Sequence, residues 1–159
     1  MKGAVPGAGP ARRRGRVVGI DLGTRRIGVA VSDSAGTMAT PRTTVKRTDD
    51  VEGDRRRLVD LIVGEGAVVV VVGLPLSLDG SRGRAAVSAA EEAGALSALL
   101  EEYHIEVELF DERLTTVSAH QALAAGGTRE RDRRGIVDQA AATVMLEAWL
   151  EHRRGGARG

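Results

Sequence analysis

The chain has 159 residues, 42% of them hydrophobic and 2% aromatic, no cysteine, and 23 basic against 22 acidic side chains. That is the length of one domain with enough apolar content for a single core, and the lack of cysteine excludes disulfides, thiolate metal sites and cysteine nucleophiles. One Trp, one Tyr and one Phe leave little for base-stacking platforms, so any nucleic-acid contact has to rest on charge and shape.

The chain starts with Lys2, Arg12, Arg13, Arg14 and Arg16 and no acid before Asp21, so the rest is mildly acidic although the net charge is +1. Gly, Pro and Ala around those arginines predict a disordered basic tail over residues 1–15, with a phosphate-gripping arm as the sharper alternative. No run approaches the roughly 18 apolar residues of a spanning helix, and the start lacks the apolar stretch of a signal peptide. The expectation is a cytoplasmic protein with no membrane contact, folded over residues 16–153 and ending in a flexible tail over 154–159.

Val17, Val18 and Ile20 read as a strand leading to Asp21. After the turn Gly23-Thr24-Arg25-Arg26, Ile27, Val29 and Val31 read as its hairpin partner. A third strand over residues 37–46 contains Pro41, which predicts an edge or a bulge. Residues 50–65 carry Val51, Leu58, Leu61 and Ile62 at helical spacing and end among glycines. Residues 67–72 are an unbroken apolar run, as in a parallel strand buried on both faces. A loop over 73–80 leads to an Ala- and Glu-rich helix over 81–103. Ile105, Val107 and Leu109 then alternate with Glu106 and Glu108, which predicts a half-buried strand near an edge. Helices over 115–125 and 136–152, separated by an arginine-rich loop, complete the chain. The fold class is α/β, with a mixed five-stranded sheet flanked by helices, an antiparallel meander followed by parallel strands. This is the element order of the ribonuclease H-like fold.

Three segments place a carboxylate among apolar or small residues: Gly19-Ile20-Asp21-Leu22-Gly23-Thr24, Asp111-Glu112-Arg113-Leu114-Thr115-Thr116 and Ile136-Val137-Asp138-Gln139-Ala140-Ala141. A carboxylate there costs free energy unless a cation meets it, so the three together suggest an acidic metal-binding cluster. Alternation puts Val17, Gly19 and Asp21 on one face of their strand, where Gly19 leaves room for a close approach; the alternative is an Asp that caps the turn at Gly23. Asp138 shares a helix stripe with Ala141, Ala142, Met145 and Trp149, while Gln139, Thr143, Glu147 and Glu151 form the outward face. Its alternative role, near a start at Ile136, is to favour the positive end of the helix dipole. Pattern alone does not decide whether Asp111 or Glu112 turns inward, and either could cap a following helix. His104, His120 and His152 lack metal-ligand spacing.

Gly-Ile-Asp-Leu-Gly-Thr-Arg-Arg-Ile-Gly-Val-Ala, Gly-Leu-Pro with Asp79-Gly80, Asp-Glu-Arg-Leu-Thr-Thr and Val-Asp-Gln-Ala-Ala occur in this order. Together they resemble the YqgF/RuvX family of the ribonuclease H-like superfamily, described both as Holliday junction resolvases and as pre-16S ribosomal RNA nucleases. The resemblance spans Arg16 to about Trp149 and implies Asp21, Glu112 and Asp138 as the catalytic, metal-holding carboxylates. Many members carry a lysine shortly before the last Asp, where this chain has Arg133 and Arg134; charge is kept, but a lysine-specific role is not.

Hard oxygen donors suit Mg²⁺ or Mn²⁺, and two such ions about 3.5 to 4 Å apart support in-line attack of water on a phosphodiester. With the resemblance, this implies metal-dependent nuclease action on the 5' end of pre-16S ribosomal RNA. The alternatives are resolution of branched DNA and non-catalytic binding to nucleic acid, ribosomal particles or transcription machinery. Arg25, Arg26, Arg113, Arg129, Arg133 and Arg134 are candidate phosphate contacts, against the bland reading of a solvated, partly self-paired surface. The Asp-Leu-Gly-Thr segment also resembles the phosphate loop of actin- and Hsp70-like ATPases, which need two such domains. The sequence leaves monomer and homodimer open.

Overall fold

The computed structural model describes residues 15–115 and 130–158, with side chains of the second segment from 137 to 155. The basic tail up to residue 14, residues 116–125 of the helix expected over 115–125, His120 and Arg129 lie outside the described residues. The elements are β1 (Arg16–Leu22), β2 (Arg26–Ser32), β3 (Ala39–Lys46), α1 (Val51–Gly64), β4 (Ala67–Leu74), α2 (Arg84–Leu100), β5 (Glu106–Asp111) and α3 (Glu130–Arg158), with short 3₁₀ turns after α2 and β5. The sheet order is β3-β2-β1-β4-β5. β1 pairs antiparallel with β2 and β2 with β3, whereas β1–β4 and β4–β5 are parallel. This is the mixed five-stranded sheet expected from the element order.

Local chemistry explains most of these boundaries. Asp50 caps α1 by accepting from the Gly53 N–H at 3.0 Å, which satisfies a backbone donor that the first turn leaves open. Pro41 lies on the edge strand, where a missing N–H costs least. The β2–β3 register shifts there, Val29 facing Thr43 and Ala30 facing Pro41, so Arg42 is the extra residue of a bulge. The valines of β4 from Val69 to Val72 are fully buried because helices cover both faces of the central strands.

The two cores follow the period-two alternation. Val18, Ile20, Val29, Val70 and Val72 pack against Leu58 and Ile62 of α1 and Leu96 and Leu100 of α2. Val17, Ala30, Val69, Val71 and Phe110 pack against Ala142, Met145, Leu146 and Trp149 of α3. β5 departs from its expected alternation: Leu109 is exposed, while Glu108 accepts from the Trp149 indole N–H at 3.3 Å. α3 is also longer than expected. It starts at Glu130, since Glu130, Arg131, Asp132, Arg133 and Arg134 include strong helix formers, and it continues to Arg158. The Arg154 guanidinium reaches the carbonyls of Gly36 and Thr37.

Glycines set how closely α3 lies on the sheet. A Cβ at Gly19 would stand 3.0 Å from the Leu146 Cβ, and one at Gly28 would fall on the carbonyl of Asp138. Backbone cannot yield there as a side-chain tip could. Gly28→Ala is expected to cost about 2 to 3 kcal/mol through overpacking. Gly64→Ala at the end of α1, where a Cβ meets nothing within 4 Å, is expected to gain up to about 1 kcal/mol. Thermal unfolding of the two variants checks this contrast, and equal melting temperatures would refute the close approach.

Candidate active site

β1, β4 and β5 all run towards the same end of the sheet, and the acidic segments meet there on the α3 face. Asp21 belongs to the Val17, Gly19, Asp21 face of the central strand β1. Across β2 its partner is Gly28. Along β4 the pairing Ile20 with Val72 makes Gly73 the next neighbour. The Asp21 side chain is thus flanked on both sides by strand positions without a Cβ.

Glu112 occupies part of that room. It starts the 3₁₀ turn Glu112–Leu114 directly after β5, and a Cβ at Gly73 would stand 2.8 Å from its Oε1. Burial is the first cause that raises the Glu112 carboxyl, followed by its hydrogen bond to Asp21 and the negative charges of Asp21 and Asp111, and together they push it up to about 8. Two carboxylates this close cannot both ionise without a cation, so Glu112 keeps its proton and donates it to the Asp21 carboxylate.

Asp111 has a different role. It accepts the backbone N–H of Arg113 at 2.9 Å and pairs with the Arg113 guanidinium at 2.7 Å. Hydrogen bonds from Arg113 are the main reason its carboxyl lies below the usual range. Arg113 also donates to the Leu78 carbonyl at 3.2 Å and so ties the β4–α2 loop to the turn that carries Glu112. Expected as a phosphate contact, Arg113 is engaged within the protein.

Asp138 lies beside this pair and not at the start of a helix. Because α3 begins at Glu130, Asp138 is two turns inside it, where the helix dipole has faded. Its carbonyl sits against Gly28, the cross-strand partner of Asp21. Its carboxylate pairs with Arg26 Nε at 3.1 Å, both side chains being partly exposed. Arg26 precedes Gly28 by two residues, so alternation turns it to the same face. Gln139 does not face outward as its helix position suggested, since its amide reaches the Thr44 hydroxyl of β3 at 3.1 Å. Arg25 is exposed at the hairpin, Arg133 and Arg134 lie on the α3 backbone, and Arg129 lies outside the described residues.

Among the described residues no three His, Asp or Glu side chains stand close enough to hold one metal ion. Asp21 and Glu112 are brought together, whereas Asp138 is adjacent and held by Arg26.

The family model described as "RuvX: Holliday junction resolvase" matches residues 15–152. The chain belongs to the RuvX family. A relative from Leifsonia xyli subsp. xyli, named "Putative pre-16S rRNA nuclease", is 45% identical over 146 residues, covering 92% of each protein. One of the same name from Mycobacterium ulcerans is 47% identical over 154 residues, covering 96% of this chain and 86% of its own. Among solved structures, Thermus thermophilus RuvC in complex with a Holliday junction substrate gives a TM-score of 0.57 at 18% identity, over 89% of this chain and 96% of that one. The yeast mitochondrial Holliday junction resolvase Ydc2 gives 0.55 at 11% identity, over 91% of this chain and 81% of its own. Both share the fold.

Two residues of this RuvX-family site, Gly28 and Gly73, do not stand out by composition. A glycine inside an apolar strand is the signal that could single them out, because it costs stability unless something approaches closely.

The carboxyl pair gives stability a specific pH dependence. Glu112 titrates near 4.5 when unfolded and near 8 when folded, so folding takes up a proton between those values and stability falls as pH rises through that window. Glu112→Gln removes this loss. In urea unfolding with EDTA, the variant is expected to match the parent near pH 5 and to exceed it by on the order of 2 kcal/mol near pH 9. A larger gain at pH 5 than at pH 9 would contradict the shared proton.

Proposed function

We propose that this chain is a divalent-cation-dependent nuclease that cuts phosphodiester bonds in structured RNA, with the 5' region of pre-16S ribosomal RNA as its substrate, free or on ribosomal particles. The observation that carries this reading is the half-buried, hydrogen-bonded Asp21–Glu112 pair at the strand ends, with Asp138 next to it. The names of the relatives support the substrate class.

The donor set fits a hard cation. Two carboxyls held together by a proton offer oxygen ligands once that proton leaves, and oxygen-only donors suit Mg²⁺ or Mn²⁺. Asp21 and Glu112 would hold the first ion, and Asp138, on leaving Arg26, would complete the set for one ion or two. When bound, such ions lower the pKa of a water and neutralise the leaving oxygen.

The chain's own residues do the rest. Partial burial of Glu112 raises its carboxyl, and Gly73 keeps β4 out of its way. Arg113 fixes the turn from which Glu112 projects. Arg26 is a guanidinium next to the carboxylates and can pair with a phosphate of the substrate as it releases Asp138. The cut is endonucleolytic on this reading, since nothing in it requires a chain end.

Asp21→Asn is expected to lower Mg²⁺- or Mn²⁺-dependent cleavage of a labelled pre-16S 5'-leader RNA by about a thousandfold or more, while the melting temperature in EDTA stays close to that of the parent. Full activity in that variant would refute the assignment. The family description favours a second reading, resolution of branched DNA; the same assay with a four-way DNA junction decides between the two by which substrate is cut.

A further inference from the structure

The basic residues of this chain are not spread evenly around the carboxylate site. β1 ends at Leu22, β2 begins at Arg26 and β3 ends at Lys46, so the β2–β3 ladder has its open end at the same end of the sheet as Asp21. Arg26 faces Lys46 in the register, and the Arg47 N–H donates to the Arg25 carbonyl at 2.9 Å. Four cations are therefore held together on two hydrogen-bonded strand ends.

The neighbouring acids pair with one of the four, Arg26, and are otherwise mostly engaged elsewhere. Asp50 is occupied as the cap of α1. Asp54 accepts both the N–H and the hydroxyl of Thr48, each at 2.8 Å, and pairs with Arg57. Among the described residues Asp138 pairs with Arg26. Asp49, exposed, is the acid left at the β3–α1 connection. Arg25 and Lys46 are exposed, and the Arg47 Nε is buried with no hydrogen-bond partner among the described residues.

We propose that Lys46 and Arg47, with Arg25 and Arg26, form a phosphate-binding track along the open end of the β2–β3 ladder, and that the nucleic-acid backbone leaves the carboxylate site on this side. The proposal rests on the nuclease reading for the identity of the strand. Its own content is the direction of that strand and the assignment of Lys46 and Arg47 to it. Contacts of this kind carry no base information, so the track recognises sugar-phosphate backbone without regard to sequence.

Salt dependence reads such contacts directly, because each neutralised phosphate releases counterions. Binding of a fluorescein-labelled RNA stem with a single-stranded extension is measured by anisotropy across a KCl series in EDTA, where nothing is cleaved. Lys46→Gln combined with Arg47→Gln is expected to weaken binding about five- to twentyfold at low salt and to lower the slope of log K against log [KCl] by about one to two. Arg56→Gln removes one exposed charge from α1 and is expected to do neither. Circular dichroism confirms that each variant is folded, and the single Lys46→Gln change, at an exposed edge position, is expected to show about half the slope change. A double variant with the slope of Arg56→Gln would overturn the track. Failure of the parent to cleave with Mg²⁺ or Mn²⁺ would instead overturn the nuclease reading, and the two results are separate because binding is read without metal.

Discussion

The structure depends on room for one carboxylate. Asp21 ends the central strand of a sheet covered on both faces, a place where an ionised group is costly. It can be there because the strand positions on either side of it, Gly28 and Gly73, have no side chain. Gly28 gives its room to the backbone of α3 at Asp138, and Gly73 gives its room to the side chain of Glu112. The same two glycines that make space for Asp21 therefore bring the other two acidic segments to it, from positions about 90 and 117 residues further along the chain.

Three acids next to Asp21 have a local answer to their charge. Glu112 holds a proton against Asp21, Asp138 holds Arg26, and Asp111 holds Arg113. These answers differ in what they lock. The Asp111–Arg113 pair belongs to one turn and extends to the Leu78 carbonyl, so it stiffens the loop that borders the site. The Asp138–Arg26 pair joins α3 to β2 across most of the chain and is partly exposed, so its contribution to stability is modest and it can exchange partners at little cost.

The sequence shows the fold well where burial is one-dimensional. The apolar run before Gly73 marks a doubly covered strand, Pro41 marks the edge with its bulge, and Asp50 marks the start of α1. It shows the site less evenly. Alternation is enough to put Asp21 with Gly19, and the helix stripe is enough to single out Asp138. Neither device reaches Glu112, because β5 gives way to a tight turn just where the choice between Asp111 and Glu112 is made, and alternation has no meaning past that point. The start of α3 is hidden for another reason: the charged residues 130–134 are compatible with either loop or helix, so no local pattern marks where the helix begins. Arg26 and Asp138 are separated by 112 residues, and their pairing follows from β2 and α3 meeting at Gly28, which no local pattern contains.

Arg26 links the two halves of this arrangement. It is the counterion of Asp138 on one side and the first residue of the basic strand ends on the other. An anion that approaches Arg25, Lys46 and Arg47 reaches the same guanidinium that Asp138 uses, and competes for it. A guanidinium offers several N–H donors in a plane, so the two anions can share it for a time, but a bidentate phosphate contact takes the geometry that the carboxylate needs. On the proposed reading, occupation of the strand ends by phosphate would loosen Asp138 in proportion to how fully Arg26 is drawn away. Charge balance would make this direction of change favourable only if another cation met Asp138 as Arg26 left it, which would couple the arrival of substrate to the filling of the carboxylate site.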